Sequence, residues 1–165
     1  MTIHDLPTNK PTQKRIVCFN EAAKFLESYD RIIYPIFGDG NCLFRAFSHL
    51  IFEKEEYHQQ IRNLLMDFII LNCDIFSKYC EARKRTLQEH VAHMKYDTVW
   101  GTDIEIRAAA SYLKLPIFVS TQRSKSMEYY WEIFSPLTTK TFEGGEYFNN
   151  ICHTRYLPSH LEICQ

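Results

Sequence analysis

The sequence predicts an α+β domain in which helices come first and strands follow, with one more helix among them. Apolar residues recur at three- and four-residue steps in several segments before residue 113, which is the period of a helix. Short apolar or alternating segments dominate after Pro116 and are typical of strands. The chain has 165 residues, 45% of them hydrophobic and 24% charged, which is the size and composition of one folded domain.

The N-terminal region is expected to contain a flexible lead-in and one short helix. Residues 1–15 are polar and show no periodicity, so we place a single folded domain at 16–165. Asn20 is a favourable N-cap for a helix over about residues 21–29. Residues 32–37 are apolar and β-prone but contain a proline, which indicates an extended segment that leads into a turn.

The densest turn signal of the chain lies at residues 38–41, where two glycines alternate with Asp and Asn. A helix is predicted directly after this turn. Its apolar stripe would consist of Leu43, Phe44, Phe47 and Leu50. Further helices are predicted over about residues 56–72, 74–78, 82–94 and 104–113.

Strands are predicted in the C-terminal third of the chain. Residues 117–120 form a short apolar segment that is typical of a buried strand, and residues 128–134 alternate in part. Gly-Gly at 144–145 indicates a turn. The last two strands are predicted at residues 147–154 and 160–164.

Charge and hydrophobicity exclude several classes of partner. The net charge is −1 and the pI is near 6.6, whereas phosphate binding requires a basic excess, so we expect no nucleic-acid partner. No segment approaches the length that spans a bilayer, and residues 1–14 lack the apolar stretch of a secretory signal. We therefore expect no membrane partner, a cytoplasmic or nuclear location, and six reduced cysteines.

Cys42 is the strongest candidate for a nucleophile, because it follows the double-glycine turn and opens a predicted helix. Such a turn can direct backbone N–H groups toward one point, as an oxyanion hole requires. The partial positive charge at a helix N-terminus stabilises a thiolate. A buried structural cysteine is the alternative, and the local sequence leaves both open. The five other cysteines lack this turn, which favours a structural role for them.

A cysteine nucleophile requires a general base, and the C-terminal region contains two candidates, His153 and His160. Glu162 lies two residues after His160, and side chains two apart on a strand share a face. A carboxylate there can orient an imidazole, which favours His160 while leaving a solvent-facing role open. The histidines on predicted helices are expected at the surface: His49, His58, His90 and His93.

Three blocks of the sequence together resemble the ovarian tumour (OTU) family of cysteine deubiquitinases. Residues 38–46, Gly-Asp-Gly-Asn-Cys-Leu-Phe-Arg-Ala, are similar to the nucleophile motif of that family. Residues 100–113 resemble its second block, in which Trp-Gly precedes a helix with a glutamate and small residues. The third block is an apolar strand, a loop and a His-aromatic-Asp/Asn motif, and residues 151–162 resemble it. The resemblance spans about residues 31–164.

The resemblance implies an α+β fold in which a small twisted sheet is sandwiched between helical regions, with papain-like catalytic geometry. It also implies hydrolysis of isopeptide or peptide bonds after the C-terminal glycine of ubiquitin. Ubiquitin or polyubiquitin chains would be the partners. The resemblance implies no metal and no organic cofactor.

The resemblance also assigns roles to individual residues. Cys42 would be the nucleophile and His160 the base, while Glu162 occupies the place of the orienting Asp or Asn. Asp39 matches the acidic residue of the family's cysteine loop. The oxyanion hole would be formed by backbone amides from Asp39 through Gly40 and Asn41 to Cys42.

The sequence departs from the family pattern at two positions. Leu161 replaces the aromatic residue after the histidine, which removes packing beside the imidazole. Glu162 is one methylene longer than Asp or Asn and has more rotamer freedom to lose. These departures keep open a non-catalytic ubiquitin-binding or scaffold module. A further alternative is a cysteine protease of this fold that acts on another ubiquitin-like modifier or a polyprotein. We expect a monomer.

Three other features favour ordinary structural explanations. The basic run at residues 83–85 is flanked by acidic residues and is expected to be a solvated helix face with ion-pair partners. Trp100 is expected to be largely a core anchor. A zinc site is improbable, because zinc sites use short paired spacings. No such spacing joins the conceivable ligands Cys73, Cys80, His90 and His93.

Overall fold

A computed structural model of the chain describes residues 34–122, 128–140 and 161–164. In these residues five helices come first and three strands follow. The helices are α1 (Cys42–Phe52), α2 (His58–Leu71), α3 (Cys73–Glu81), α4 (Leu87–Met94) and α5 (Asp103–Leu113). The strands are β1 (Ile117–Gln122), β2 (Tyr129–Phe134) and β3 (Leu161–Cys164). The predicted α+β class is confirmed. The predicted lead-in, the helix at 21–29, the turn at 144–145 and the strand at 147–154 lie outside the described residues.

The predicted helix over residues 82–94 was wrong in its first third. Helix α4 begins only after Thr86, whose Oγ1 accepts a hydrogen bond from the Glu89 N–H at 3.2 Å. The Glu89 carboxylate accepts the Thr86 N–H in return, at 2.8 Å, and closes a capping box. The basic run at 83–85 therefore lies in a turn, where Lys84 has a φ of 58°. Arg83 forms its ion pair with Asp103 rather than with a flanking glutamate.

The sheet is small and mixed, with β1 in the centre. Strand β2 pairs antiparallel with β1, so that Ile117 lies opposite Phe134. Strand β3 pairs with β1 in parallel, so that Ile117 also lies opposite Leu161. Ile117 and Val119 are buried on the face that meets the core. Helix α5, whose three consecutive alanines are buried, contacts β2.

The core lies between the helices and continues to the sheet. Burial of each large apolar side chain stabilises the fold by about 1.5–3 kcal/mol. The fully buried residues with the largest apolar side chains include Phe44, Phe47, Phe68, Phe76, Ile104 and Ile117. Helix α1 packs on α2, and α2 packs in turn on α4 and α5. Gly101 lies directly before α5, where a Cβ would overlap the Leu43 side chain, so the absence of a side chain lets α5 approach α1.

In the part of the chain that the structure describes, no helix has the length and apolar character needed to cross a bilayer.

Candidate active site

The turn before Cys42 has a conformation that favours glycine. Gly40 has a φ of +87°, a region that other residues rarely adopt. A Cβ at Gly40 would also overlap the carbonyl oxygen of Thr98. The turn therefore packs backbone to backbone against the segment that follows α4. Cys42 comes directly after the turn as the first residue of α1, and it is half-buried.

Cys42 lies in the first turn of α1, where the backbone N–H groups receive no side-chain cap. The first N–H groups of a helix have no intrahelical acceptor. The Asn41 side chain, at the N-cap position, forms no capping hydrogen bond, and the first turn contains no acidic residue. The partial positive charge of this helix end is therefore available to a thiolate or an oxyanion next to Cys42.

Asp39 is bound to its own loop. Its carboxylate accepts hydrogen bonds from Arg45 Nη2 at 2.6 Å and Nε at 3.1 Å, and from the Asn41 N–H at 2.9 Å. The hydrogen bond from Arg45 is the main cause that holds the pKa of Asp39 well below its usual range. The same contact raises the pKa of Arg45. A carboxylate that is permanently ionised and fully engaged is suited to holding the loop and unsuited to proton transfer.

The Asn41 side chain uses its complete hydrogen-bonding capacity inside the protein. It is 1% exposed. Its Oδ1 accepts hydrogen bonds from Arg62 Nη2 at 2.6 Å and from the Thr98 N–H at 3.1 Å. Its Nδ2 donates to Asp39 Oδ2 at 3.1 Å and to Asp97 Oδ1 at 2.9 Å. An amide has two donors and two acceptor sites, so no Asn41 side-chain donor remains for a substrate.

The backbone amides of the turn are not equivalent. The sequence predicts that the amides from Asp39 to Cys42 line an oxyanion hole, but the Asn41 N–H already donates to Asp39 Oδ1 at 2.9 Å. The Gly40 N–H and the Cys42 N–H are the remaining candidates in residues 40–42. Gly40 is buried and Cys42 is half-buried, so both lie where water is partly excluded.

Arg62 is a functional candidate that the sequence reasoning missed. It lies on α2 and is fully buried, with its guanidinium 3.9 Å from the centroid of the Phe44 ring. It hydrogen-bonds to the Asn41 side chain next to Cys42. A signal was present in the sequence, because positions three, four and seven residues after Arg62 are apolar and buried. An arginine on the apolar face of a helix indicates a buried partner.

The histidines on helices were expected at the surface, and this expectation was wrong for His90. It is 3% exposed, and its Nε2 lies 2.7 Å from Oε1 of the fully buried Glu105. His49 is half-buried and stacks on the Tyr34 ring, with 3.6 Å between the ring centroids. His58 is also half-buried, and its burial lowers its pKa. Only His93 of these four is exposed as expected.

Trp100 does not anchor the core as expected, because it is 70% exposed. Its neighbour Gly101 makes the close contact instead, against Leu43. Trp100 lines an open cleft of about 270 Å³ together with Arg85 and His93. Among the described residues, no three His, Cys, Asp or Glu side chains come together as a metal site.

The proposed base and its orienting residue belong to the C-terminal region. His160 and the competing His153 lie outside the described residues. The backbone of Glu162 lies in β3, where it pairs with Phe118 of β1. The described part of the chain therefore contains the nucleophile half of the predicted site, and the pairing of Cys42 with a base stays a prediction.

Sequence comparisons find relatives for most of the chain. Residues 37–161 match the family of OTU-like cysteine proteases. The ubiquitin thioesterase otu2 of Schizosaccharomyces pombe is 27% identical over 129 residues, which are 72% of this chain and 40% of that protein. Ovarian tumor domain-containing deubiquitinating enzyme 7 of Arabidopsis thaliana is 25% identical over 123 residues, which are 72% of this chain and 32% of that protein. The chain thus spans well under half the length of these curated relatives.

Solved structures with the same fold support the observed architecture. The OTU domain of OTUD1 superposes with a TM-score of 0.63 at 20% identity, covering 76% of this chain and 85% of that one. The viral OTU domain protease from Dera Ghazi Khan virus superposes with a TM-score of 0.56 at 19% identity, covering 80% of this chain and 74% of that one. At these identities the similarity establishes the fold, and it confirms the fold that the three sequence blocks imply.

Proposed function

The chain belongs to the family of OTU-like cysteine proteases, and from this premise we propose that it is a thiol-dependent deubiquitinase. It would hydrolyse the isopeptide or peptide bond after the C-terminal glycine of ubiquitin. The observation that carries the proposal is the position of Cys42 as the first residue of a helix. It lies directly after a turn whose Asp39 and Asn41 side chains accept hydrogen bonds from Arg45 and Arg62. The names of the two curated relatives, a ubiquitin thioesterase and a deubiquitinating enzyme, support ubiquitin as the substrate.

The first half-reaction would form a thioester on Cys42. His160 would take the proton of the thiol, and Sγ would attack the carbonyl carbon of the terminal glycine of ubiquitin. The oxyanion of the tetrahedral intermediate would accept hydrogen bonds from the Cys42 and Gly40 N–H groups. When the carbon–nitrogen bond breaks, the protonated His160 would return its proton to the departing lysine amine.

The second half-reaction would release ubiquitin. His160 would take a proton from a water molecule, which attacks the thioester carbonyl. The carbon–sulfur bond then breaks, the carboxylate of ubiquitin departs, and the thiol of Cys42 is restored. Glu162 would hold the His160 ring in orientation throughout. This chemistry requires no cofactor, and Asp39 takes no part in proton transfer because it is bound to Arg45.

A non-catalytic ubiquitin-binding module is the second candidate. The two departures from the family pattern, Leu161 and Glu162, favour it, because both concern the surroundings of the proposed base. Such a module would bind ubiquitin and leave every ubiquitin linkage intact. The two candidates therefore differ in turnover and not in binding.

The decisive experiment uses ubiquitin with an electrophile in place of its C-terminal carboxylate, followed by intact mass measurement. The wild type should gain the mass of one ubiquitin, and Cys42→Ala should gain none. Cys73→Ala is the matched control, because Cys73 is an exposed cysteine on α3 and its removal should leave the adduct unchanged. A folded wild type that forms no adduct at high ubiquitin concentration would refute the proposal.

The same protein preparations identify the base. Hydrolysis of a ubiquitin C-terminal amide should fall by about 100-fold or more in His160→Ala, which is the usual effect of removing a general base. His153→Ala should stay close to the wild type. Equal losses in both variants, or a larger loss in His153→Ala, would show that His160 is not the base. An adduct on Cys42 with no turnover of any linkage would favour the binding module.

A further inference from the structure

We propose that Arg62 is a positioning residue for Cys42, and that it acts through the side chain of Asn41. The inference rests on the proposed function, because positioning of Cys42 matters to turnover only if Cys42 is the nucleophile. Arg62 itself is fully buried on α2 and has no exposed surface with which to contact a substrate.

The guanidinium of Arg62 joins three segments that are separate in the sequence. Its Nη2 donates to Asn41 Oδ1 at 2.6 Å and to the Val99 carbonyl oxygen at 2.7 Å. Its Nη1 donates to the carbonyl oxygen of Met94, the last residue of α4, at 2.9 Å. Arg62 therefore connects the turn before Cys42 to the end of α4 and to the segment that leads to α5.

Asn41 carries this connection to the nucleophile. The Asn41 oxygen that accepts from Arg62 also accepts the Thr98 N–H, at 3.1 Å. The Thr98 carbonyl lies against Gly40, where a Cβ would overlap it. Asn41 is covalently bound to Cys42, and its own carbonyl oxygen accepts the Arg45 N–H at 2.9 Å as the first hydrogen bond of α1. A shift of the Asn41 side chain would therefore move both the start of α1 and the Gly40 backbone.

The surroundings of Arg62 indicate that this position requires an arginine for its hydrogen bonds and not for packing alone. Its hydrogen-bond acceptors are neutral groups, and the face of its guanidinium covers the Phe44 ring at 3.9 Å. Burial lowers the pKa of Arg62, and the more distant charges of Asp97 and Glu105 oppose this effect. No carboxylate of the described residues forms an ion pair with Arg62, and a buried cation without such a partner is costly, so an apolar residue there would pack at less cost. The planar, multidentate guanidinium is the one side chain that reaches three acceptors at once.

The test compares Arg62→Met, Arg62→Lys and Asn41→Ala with the wild type. Turnover of a ubiquitin C-terminal amide should fall about 100-fold in kcat for Arg62→Met, the scale of loss that a displacement of about 1 Å causes. KM should stay within about threefold, because Arg62 contacts no substrate. Arg62→Lys retains the charge but cannot reach three acceptors, so it should not restore kcat. The variant that combines Arg62→Met with Asn41→Ala should have a kcat no lower than the slower of the two single variants, because both residues act through one hydrogen bond.

A second readout does not depend on ubiquitin. Hydrogen exchange of the Thr98 and Asn41 amides should accelerate at least about tenfold in Arg62→Met, because the acceptors of both are held in place by the Asn41 side chain. If the wild type turns over no ubiquitin while this exchange accelerates, the proposed function fails, although Arg62 does hold the turn before Cys42. If the wild type is active while Arg62→Met keeps its kcat and its slow exchange, the positioning role is overturned.

Arg107→Met is the matched control for a merely structural loss. Arg107 lies on α5, and its guanidinium is 5.0 Å from the ring centroids of both Tyr79 and Phe134. Arg62 and Arg107 each have a buried Nε without a hydrogen-bond partner among the described residues. This variant should lower the melting temperature while leaving kcat and the exchange of Thr98 unchanged. The proposal would also be overturned if Arg107→Met lost as much kcat as Arg62→Met does. The same holds if the losses of kcat in Arg62→Met and Asn41→Ala multiply in the variant that combines them.

Discussion

In the described part of the chain, two polar clusters that each include a buried charged side chain are built in opposite ways. The Asn41–Arg62 cluster consists of Asp39, Asn41, Arg62, Asp97 and Thr98. The His90–Glu105 cluster consists of His90, Thr102 and Glu105. Each contains one charged side chain with no exposed surface, Arg62 in the first cluster and Glu105 in the second. They differ in how far apart in the sequence their members lie.

The His90–Glu105 cluster is largely local. Oε2 of Glu105 accepts the Thr102 N–H at 2.7 Å, three residues away, and closes the capping box of α5. Its other oxygen meets His90, 15 residues away on the preceding helix. The cluster therefore fixes where α5 begins and how it lies against α4. Its effect should appear in the stability of the fold.

The Asn41–Arg62 cluster is mainly non-local. Arg62 is 21 residues from Asn41 and 37 residues from Val99, and Asn41 is 57 residues from Thr98. The turn it holds has no strand or helix ladder of its own, so side chains must satisfy its polar groups. A cluster that holds an irregular turn beside the N-terminus of α1 would control the position of the proposed nucleophile Cys42. Its effect should appear in catalysis more than in stability.

The largest expected effect comes from a change in the turn itself. Gly40→Ala would place a Cβ on the Thr98 carbonyl oxygen and force a φ of +87° on a residue that resists it. The strain costs about 1–3 kcal/mol, and displacement of the turn should lower kcat about 100-fold. Gly38→Ala is the matched control, because nothing lies within 4 Å of a Cβ at Gly38. If a folded Gly40→Ala protein has the kcat of the wild type, the Asn41–Arg62 cluster does not act on catalysis and the distinction between the two clusters is wrong.

The second-largest expected effect is a loss of stability in the His90–Glu105 cluster. Glu105→Ala leaves His90 and the Thr102 N–H without their acceptor in the interior, and the free energy of unfolding should fall by about 3 kcal/mol. Glu89→Ala removes the corresponding residue of the exposed capping box on α4 and should lower the free energy of unfolding by much less than Glu105→Ala does. Chemical denaturation measures both values. The kcat of the folded Glu105→Ala protein should match the wild type, and a large loss of kcat at unchanged stability would contradict the comparison.

The smallest effect concerns the pH dependence of the Asp39–Arg45 contact. Because the folded-state pKa of Asp39 lies below its ordinary value of 3.8, the contact contributes stability above that pH. This contribution is lost progressively as the pH falls from 3.8 through the lower folded-state pKa. The difference in melting temperature between wild type and Asp39→Asn should therefore stay constant at neutral pH and shrink only below about pH 4. A difference that stays constant down to about pH 2 would show that the pKa of Asp39 is not depressed.

Local interactions explain which parts of the fold the sequence predicts well. The helices at 58–71 and 103–113 and the strands at 117–122 and 129–134 agree with their predictions to within two residues. Their apolar periodicity and turn residues act over a few positions, and a linear pattern contains that information. The error at residues 82–86 is also local, because the Thr-x-x-Glu pattern at Thr86 marks the true start of α4.

In the candidate site, too, local sequence patterns predict some features and miss others. By itself the sequence determined that Cys42 follows a double-glycine turn and opens a helix, since turn chemistry and helix initiation depend on adjacent residues. Only the tertiary structure decided that Arg62 and His90 are buried and that Trp100 is exposed. Those outcomes depend on groups 15 to 37 residues away, as the contacts of Arg62 and His90 demonstrate. Burial of a polar side chain is stable only when such a partner is present, and no local pattern records where the partner will lie.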